Sequence, residues 1–211
     1  LIRFRSYTDH VLYESEEMLY LSGSGLLNSV SLNLNSNFTN LVYNGNLNGY
    51  VAGPGFNDIV NYFIKLLCMK GYDFTDTEGQ AFCRELVLKY CYVALDLESE
   101  MKKLEENGDI LHEIVSPSGI RIELGKECFL APECLFDPGL VGLNNVGVVS
   151  SLYDISESFA EGDEMAVLLC GYFTRGLTGF EARLQREVTA ISDKNIEFKF
   201  QIASSLERGA S

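Results

Sequence analysis

The sequence predicts an α/β fold, and three observations predict it. Stretches of period-two hydrophobicity alternate with stretches of helical spacing along the chain. Hydrophobic residues make up 46% of its 211 residues, enough to bury a full core and too many for a disordered tail. Clusters of Asn, Gly, Ser and Pro fall between the patterned stretches, where turns belong.

The elements follow in order. Thr8 to Leu21 shows helical spacing and ends at Ser22-Gly23. From Leu26 to Tyr43 the apolar residues alternate, giving a pair of strands with a polar turn near Ser36. Asn44 to Gly55 reads as a loop rich in Asn and Gly. Asn57 or Asp58 caps a helix that runs to Met69 and stops at Gly71. Thr75 or Thr77 opens a second helix through Tyr92, and a third, strongly charged, spans Leu97 to Glu106. His112–Val115 and Gly119–Leu124 flank Ser116-Pro117-Ser118 as a hairpin. Pro132 and Pro138 punctuate an apolar stretch ending at Val141. Val146 to Ser158 reads as helix, Met165 to Cys170 as a buried strand, Gly179 to Ala190 as an amphipathic helix and Ile196 to Ile202 as a last strand.

Charge narrows the partners. Sixteen Lys and Arg against 30 Asp and Glu leave a net charge of −14. That disfavours nucleic acid and anionic membranes, both polyanions, and suits a basic protein surface. No apolar run is long enough to span a bilayer. The six cysteines (Cys68, Cys83, Cys91, Cys128, Cys134 and Cys170) form no Cys-x-x-Cys pair, so free thiols are expected. His10 and His112 lack the spacing of a metal site. Asp96, Glu98 and Glu100 read as a solvated helix face.

Several blocks, in order, resemble the actin and actin-related family. They are Gly71-Tyr72-Asp73-Phe74-Thr75, the Tyr90-Cys91-Tyr92-Val93-Ala94-Leu95-Asp96 stretch, and Pro132-Glu133-Cys134-Leu135-Phe136-Asp137-Pro138. The helix beginning Gly179-Phe180-Glu181-Ala182-Arg183-Leu184 is a fourth. The resemblance covers nearly the whole chain and implies an actin-like (ribonuclease H-like) ATPase fold. It places here the large-half lobe, subdomain-3-like at 1–50 and 109–211, with a small subdomain-4-like helical insertion at 51–108. The family's other half, with its first phosphate loop, has no counterpart in this sequence, so one wall of the nucleotide cleft is expected.

The same resemblance predicts that this wall has lost its chemistry. The family's second phosphate hairpin, Asp-Ser-Gly-Asp-Gly, falls on Ser31-Leu32-Asn33-Leu34-Asn35. Both carboxylates are gone, to Ser31 and Leu34, and both glycines are Asn, whose side chain obstructs close approach. The paired glycines of the adenosine platform fall near Tyr172 and Phe173, aromatic rings where base or ribose would lie. A Lys-Glu pair that contacts the nucleoside falls on Val87-Leu88, and the glutamine that orients the attacking water falls on Glu14. Losing three charge-assisted hydrogen bonds removes about 4–9 kcal/mol, or roughly three to six decades of affinity. No ATP hydrolysis, no cofactor and no metal are expected.

What remains is surface. Leu140, Val141 and Leu143 fall on the family's apolar loop, which reaches a neighbouring protomer, and so are candidate partner contacts. The expected role is a non-catalytic structural subunit of a larger cytoskeletal or chromatin-associated assembly. Its partners would be proteins, among them actin or another actin-related protein, in the cytoplasm and cytoskeleton, or in the nucleus. The alternatives are an actin-like ATPase using ATP and magnesium, with its remaining residues outside this chain, or an actin that polymerises without nucleotide.

Overall fold

A computed structural model describes residues 29–34, 38–43, 46–157, 164–170, 173, 176–191 and 197–202. The expected helix from Thr8 to Leu21 lies outside them. The strands are β1 (Ser29–Asn33), β2 (Phe38–Tyr43), β3 (Asn46–Ala52), β4 (His112–Val115), β5 (Arg121–Leu124), β6 (Glu164–Cys170) and β7 (Glu197–Ile202). The helices are α1 (Phe56–Met69), α2 (Thr77–Tyr90), α3 (Leu97–Glu106), α4 (Glu127–Leu130), α5 (Val148–Ser156) and α6 (Phe180–Ile191).

Five strands form one mixed sheet in the order β3-β2-β1-β6-β7. β1, β2 and β3 pair antiparallel in sequence, while β6 joins β1 in parallel and β7 joins β6 in parallel. A parallel neighbour needs a crossover, and the whole run of α1 to α5 lies between β1 and β6. The apolar run of β6 is buried residue after residue from Met165 to Leu169, as a central strand covered on both faces requires. The register sets Val30 beside Val167 and Leu32 beside Leu169. β4 and β5 make a separate hairpin.

Asn46–Ala52 is a strand, not the loop that its Asn and Gly content suggests. It is an edge strand held by its ladder to β2, with a register shift where Leu41 faces Gly49 and Val42 faces Leu47. Its extra residue, Asn48, marks a β-bulge. The helix starts also differ from expectation. Gly55 is the N-cap of α1, and Asp58 folds back to accept from Gly55 N at 2.9 Å. Asp76, not Thr75 or Thr77, caps α2, accepting from Gly79 N at 2.9 Å, and the helix ends at Tyr90. Asp96 caps α3 through Ser99 N at 2.8 Å.

Helix faces follow from spacing. α1 buries Ile59, Val60, Phe63, Ile64 and Leu67, a stripe one turn apart that packs against α2 and the Ala131–Leu135 3-10 turn. α6 buries Phe180, Leu184 and Val188 at strict four-residue spacing. One main core collects these residues with the apolar side chains of β1 and β6. Lys70, just past α1, ties it to the hairpin region by donating to the Glu123 carbonyl at 2.7 Å and pairing with the buried Glu127 at 3.3 Å. Glu127 also accepts from Gly125 N at 2.8 Å, so its charge is solvated by protein groups.

Cys68, Cys83, Cys91, Cys128 and Cys134 are free thiols, and Cys83, Cys128 and Cys134 lie buried in the core. Burial pushes each of these three up to about 12, which makes them inert core residues at neutral pH. His112 packs its ring against Tyr90 at 4.6 Å. Among the described residues no group of three His, Cys, Asp or Glu could hold a metal ion, and no helix is long and apolar enough to cross a membrane.

Candidate functional site

Ser31–Asn33 lie at the end of β1 and Leu34 is the turn residue that follows, while Asn35 lies outside the described residues. Leu34 sits at that turn with 5% of its surface exposed, as part of the main core. Its carbonyl accepts from Phe56 N at 2.8 Å, satisfying one of the orphan amides at the start of α1. The turn and the helix start are thereby locked together. Phe173, 3% exposed, lies in the same core, and its ring meets that of Phe56 with centroids 4.5 Å apart at 46°. Such a tilted pair adds about 0.5–1.5 kcal/mol beyond its area. Phe56, half-buried, is shared between Leu34 and Phe173.

Arg84 closes the outer side. Its guanidinium lies 5.5 Å from the Phe56 ring centroid and donates to Asn57 Oδ1 at 2.8 Å. One helical turn further along α2, Val87 is buried in the core while Leu88 is 44% exposed. The structure therefore brings Leu34 and Phe173 together through a residue that sequence reasoning did not single out, Phe56, with Arg84 above it. Ser31 is in mid-β1, and Glu14 and Tyr172 lie outside the described residues. Chemically the cluster offers two aromatic faces, one aliphatic side chain and one cation.

The chain resembles proteins of the actin-related family. It is 32% identical over 203 residues to actin-related protein 2 of Acanthamoeba castellanii, covering 89% of this chain and 50% of that protein. The chain is homologous to the actin-related proteins. Actin-related protein 2 of Schizosaccharomyces pombe is 35% identical over 143 residues, and that of Saccharomyces cerevisiae 34% over 142, each across 65% of this chain and 35% of the relative. The chain thus spans about half the length of the amoebal relative and about a third of the yeast ones. No family profile matches it. The homology implies an actin-like fold, and the mixed five-stranded sheet is consistent with it.

Three of the four blocks that carry the actin-related resemblance meet around one side chain, Arg183 on α6. Its Nη1 donates to the Ala94 carbonyl at 2.6 Å, and its Nε pairs with Glu187. The guanidinium also lies 4.9 Å from the ring centroid of Phe136. Glu133 Oε1 stands 3.5 Å from Arg183 Nη1, within reach of an ion pair but too long for a hydrogen bond, so that oxygen is compensated by charge alone. Burial holds the Glu133 carboxyl above its ordinary range, against the pull of Arg183, and Glu187 pushes the same way as burial. The segment from Cys91 to Asp96, which follows α2, is pinned further by Tyr92 N to Cys128 O at 3.1 Å and Val93 N to Thr178 O at 2.8 Å. Tyr92 OH donates to Glu100 at 3.0 Å, which gives that expected solvated-face residue a structural partner. Burial, then the Glu100 bond, pushes the Tyr92 phenol up.

The expected apolar contact loop is a 3-10 turn, Pro138–Val141, capped by Asp137. Leu140 and Val141 are half-buried and pack on the main core, and Leu143 is also half-buried. The loop does not stand out as a free apolar finger, because its own core takes two of its three apolar side chains.

Proposed function

We propose that the chain is a non-catalytic, actin-related structural subunit that docks into a larger cytoskeletal or chromatin-associated assembly. It supplies the large-half lobe of an actin-like fold, with residues 51–108 as the helical insertion, and it neither hydrolyses nor tightly binds ATP. The observation that carries this reading is the packing of Phe173 on Phe56 beside buried Leu34. A magnesium nucleotide needs carboxylates around the metal's water shell and backbone amides close to its phosphates. The position assigned to one of the carboxylates carries buried Leu34, the position assigned to the adenosine platform carries Phe173, and the Phe173 ring packs on that of Phe56. These residues do not fit the group, so no step of an ATPase mechanism is derived through them. Binding is the work left to the lobe, in the cytoplasm and cytoskeleton or in the nucleus.

The partner implied by the resemblance is actin or another actin-related protein. Sedimentation velocity of the chain alone and with an equimolar amount of non-polymerising monomeric actin tests this. The expected result is a concentration-independent small species alone and a faster complex with actin. Filaments formed by the chain alone would favour the polymerising alternative, and no complex at micromolar actin would contradict the choice of partner.

A further inference from the structure

We propose that Glu133 is a proton-controlled lock on the junction of α6, the Cys91–Asp96 segment and the Ala131–Leu135 turn: the neutral carboxyl fits the closed junction, and loss of its proton loosens it. The device is conformational. It goes beyond the subunit reading and does not depend on it.

Two acceptors compete here for one donor. Arg183 Nη1 donates to the Ala94 carbonyl at 2.6 Å, while Glu133 Oε1 stands 3.5 Å from the same nitrogen. An ionised carboxylate facing a guanidinium ordinarily closes to about 2.7–2.9 Å, often through both oxygens. Closure is resisted because the guanidinium is already held by Ala94, by the pairing of Nε with Glu187 and by the Phe136 ring at 4.9 Å. Glu133 Oε1 is left buried with no hydrogen-bond partner among the described residues. An oxygen so placed costs more as part of a carboxylate than as part of a neutral carboxyl. Moving Arg183 to meet an ionised Glu133 draws Nη1 off Ala94 and releases the bond that ties the Cys91–Asp96 segment to α6.

The surrounding charges leave the competition to Glu133. Burial holds its carboxyl above the ordinary range, Arg183 on α6 pulls the other way, and Glu187 adds to burial. Beside it, burial pushes Cys134 up to about 12, so that thiol stays neutral. Asp58 and Tyr62 of α1 face Cys134, and Asp137 faces Tyr62. Glu127 of α4 is paired with Lys70. Asp96 is held low by the Ser99 amide first, then by Arg186 and Arg183, so it stays charged where Glu133 titrates. With the folded value of Glu133 above the unfolded one, the folded chain holds more protons between the two values. The stability contributed by Glu133 is therefore present below the unfolded value and is lost as pH rises through the folded one.

The test is an isotope-edited NMR titration of the Glu133 carboxyl in the 211-residue chain from ~pH 8 to ~pH 4, with the Leu95 amide followed alongside. Leu95 N shares a peptide group with the Ala94 carbonyl, so it reports the bond from Arg183. Glu133 should titrate above the ordinary glutamate value of about 4.3, and Leu95 should show a step at the same midpoint. In Glu133→Gln that step should vanish. Urea unfolding supplies a second reading: the midpoint of Glu133→Gln relative to the unsubstituted chain should rise as pH rises through the Glu133 midpoint. A Glu133 midpoint at or below the ordinary value, a Leu95 signal that ignores it, or a pH-independent gap between the two urea midpoints would each overturn the proposal.

Discussion

Arg183→Leu is expected to destabilise the chain by about 3–5 kcal/mol, because it strands a charge in the interior. Glu133 is 7% exposed, and Arg183 is the cation paired with it. The substitution also removes the bond to the Ala94 carbonyl and the contact with Phe136. Urea unfolding should show the loss as a shift in midpoint with little change in slope, and heating as a fall in Tm of roughly 10 °C. The double variant Arg183→Leu/Glu133→Leu separates charge from packing. Replacing a buried ion pair by apolar residues is often close to neutral, so the double variant should be more stable than Arg183→Leu alone. If the double variant falls further, the junction is held by packing and not by compensation of Glu133.

Gly179→Ala has the next largest effect. Gly179 adopts φ +81°, and a Cβ there would lie 2.2 Å from the Val93 carbonyl oxygen. The left-handed backbone alone costs an L-residue about 1–2 kcal/mol. The close approach adds a second cost, since moving Val93 strains its bond to the Thr178 carbonyl at 2.8 Å. A total of about 2–4 kcal/mol is expected. Gly142 is the internal control: it has φ +75°, but a Cβ added there would meet nothing within 4 Å. Gly142→Ala should therefore cost about 1–2 kcal/mol, the conformational part alone. Equal losses at the two glycines would mean that the helix start does not press on the Tyr90–Asp96 segment.

Much of the fold was legible because its elements have strong local patterns. α3 runs from Leu97 to Glu106 as its charge pattern indicated, and the buried strand near Met165–Cys170 and the stripe of α6 were each clear from spacing. β3 was not legible, because an Asn-rich edge strand draws its stability from ladder bonds to β2 and not from its own side chains. The caps were misplaced by a residue or more, since Thr75, Thr77 and Asp76 are all good caps by type and only geometry chooses Asp76.

The site divided in the same way. Leu34 and Phe173 stood out because they replace small or acidic residues at positions assigned by resemblance. Phe56 did not, because an aromatic at the first position of an amphipathic helix has an ordinary reading. Its meeting with Phe173 joins residues far apart in the chain, which no local pattern reports. Arg183 and Ala94 are 89 residues apart, and that junction too exists only once the chain has folded.

Calorimetric titration of the chain with ATP, with and without magnesium, tests the proposed loss of nucleotide binding most directly. With Phe173 packed on Phe56 and Leu34 buried beside them, no saturable heat is expected up to ~1 mM nucleotide in either condition. Magnesium-dependent binding at micromolar concentration or tighter would contradict it.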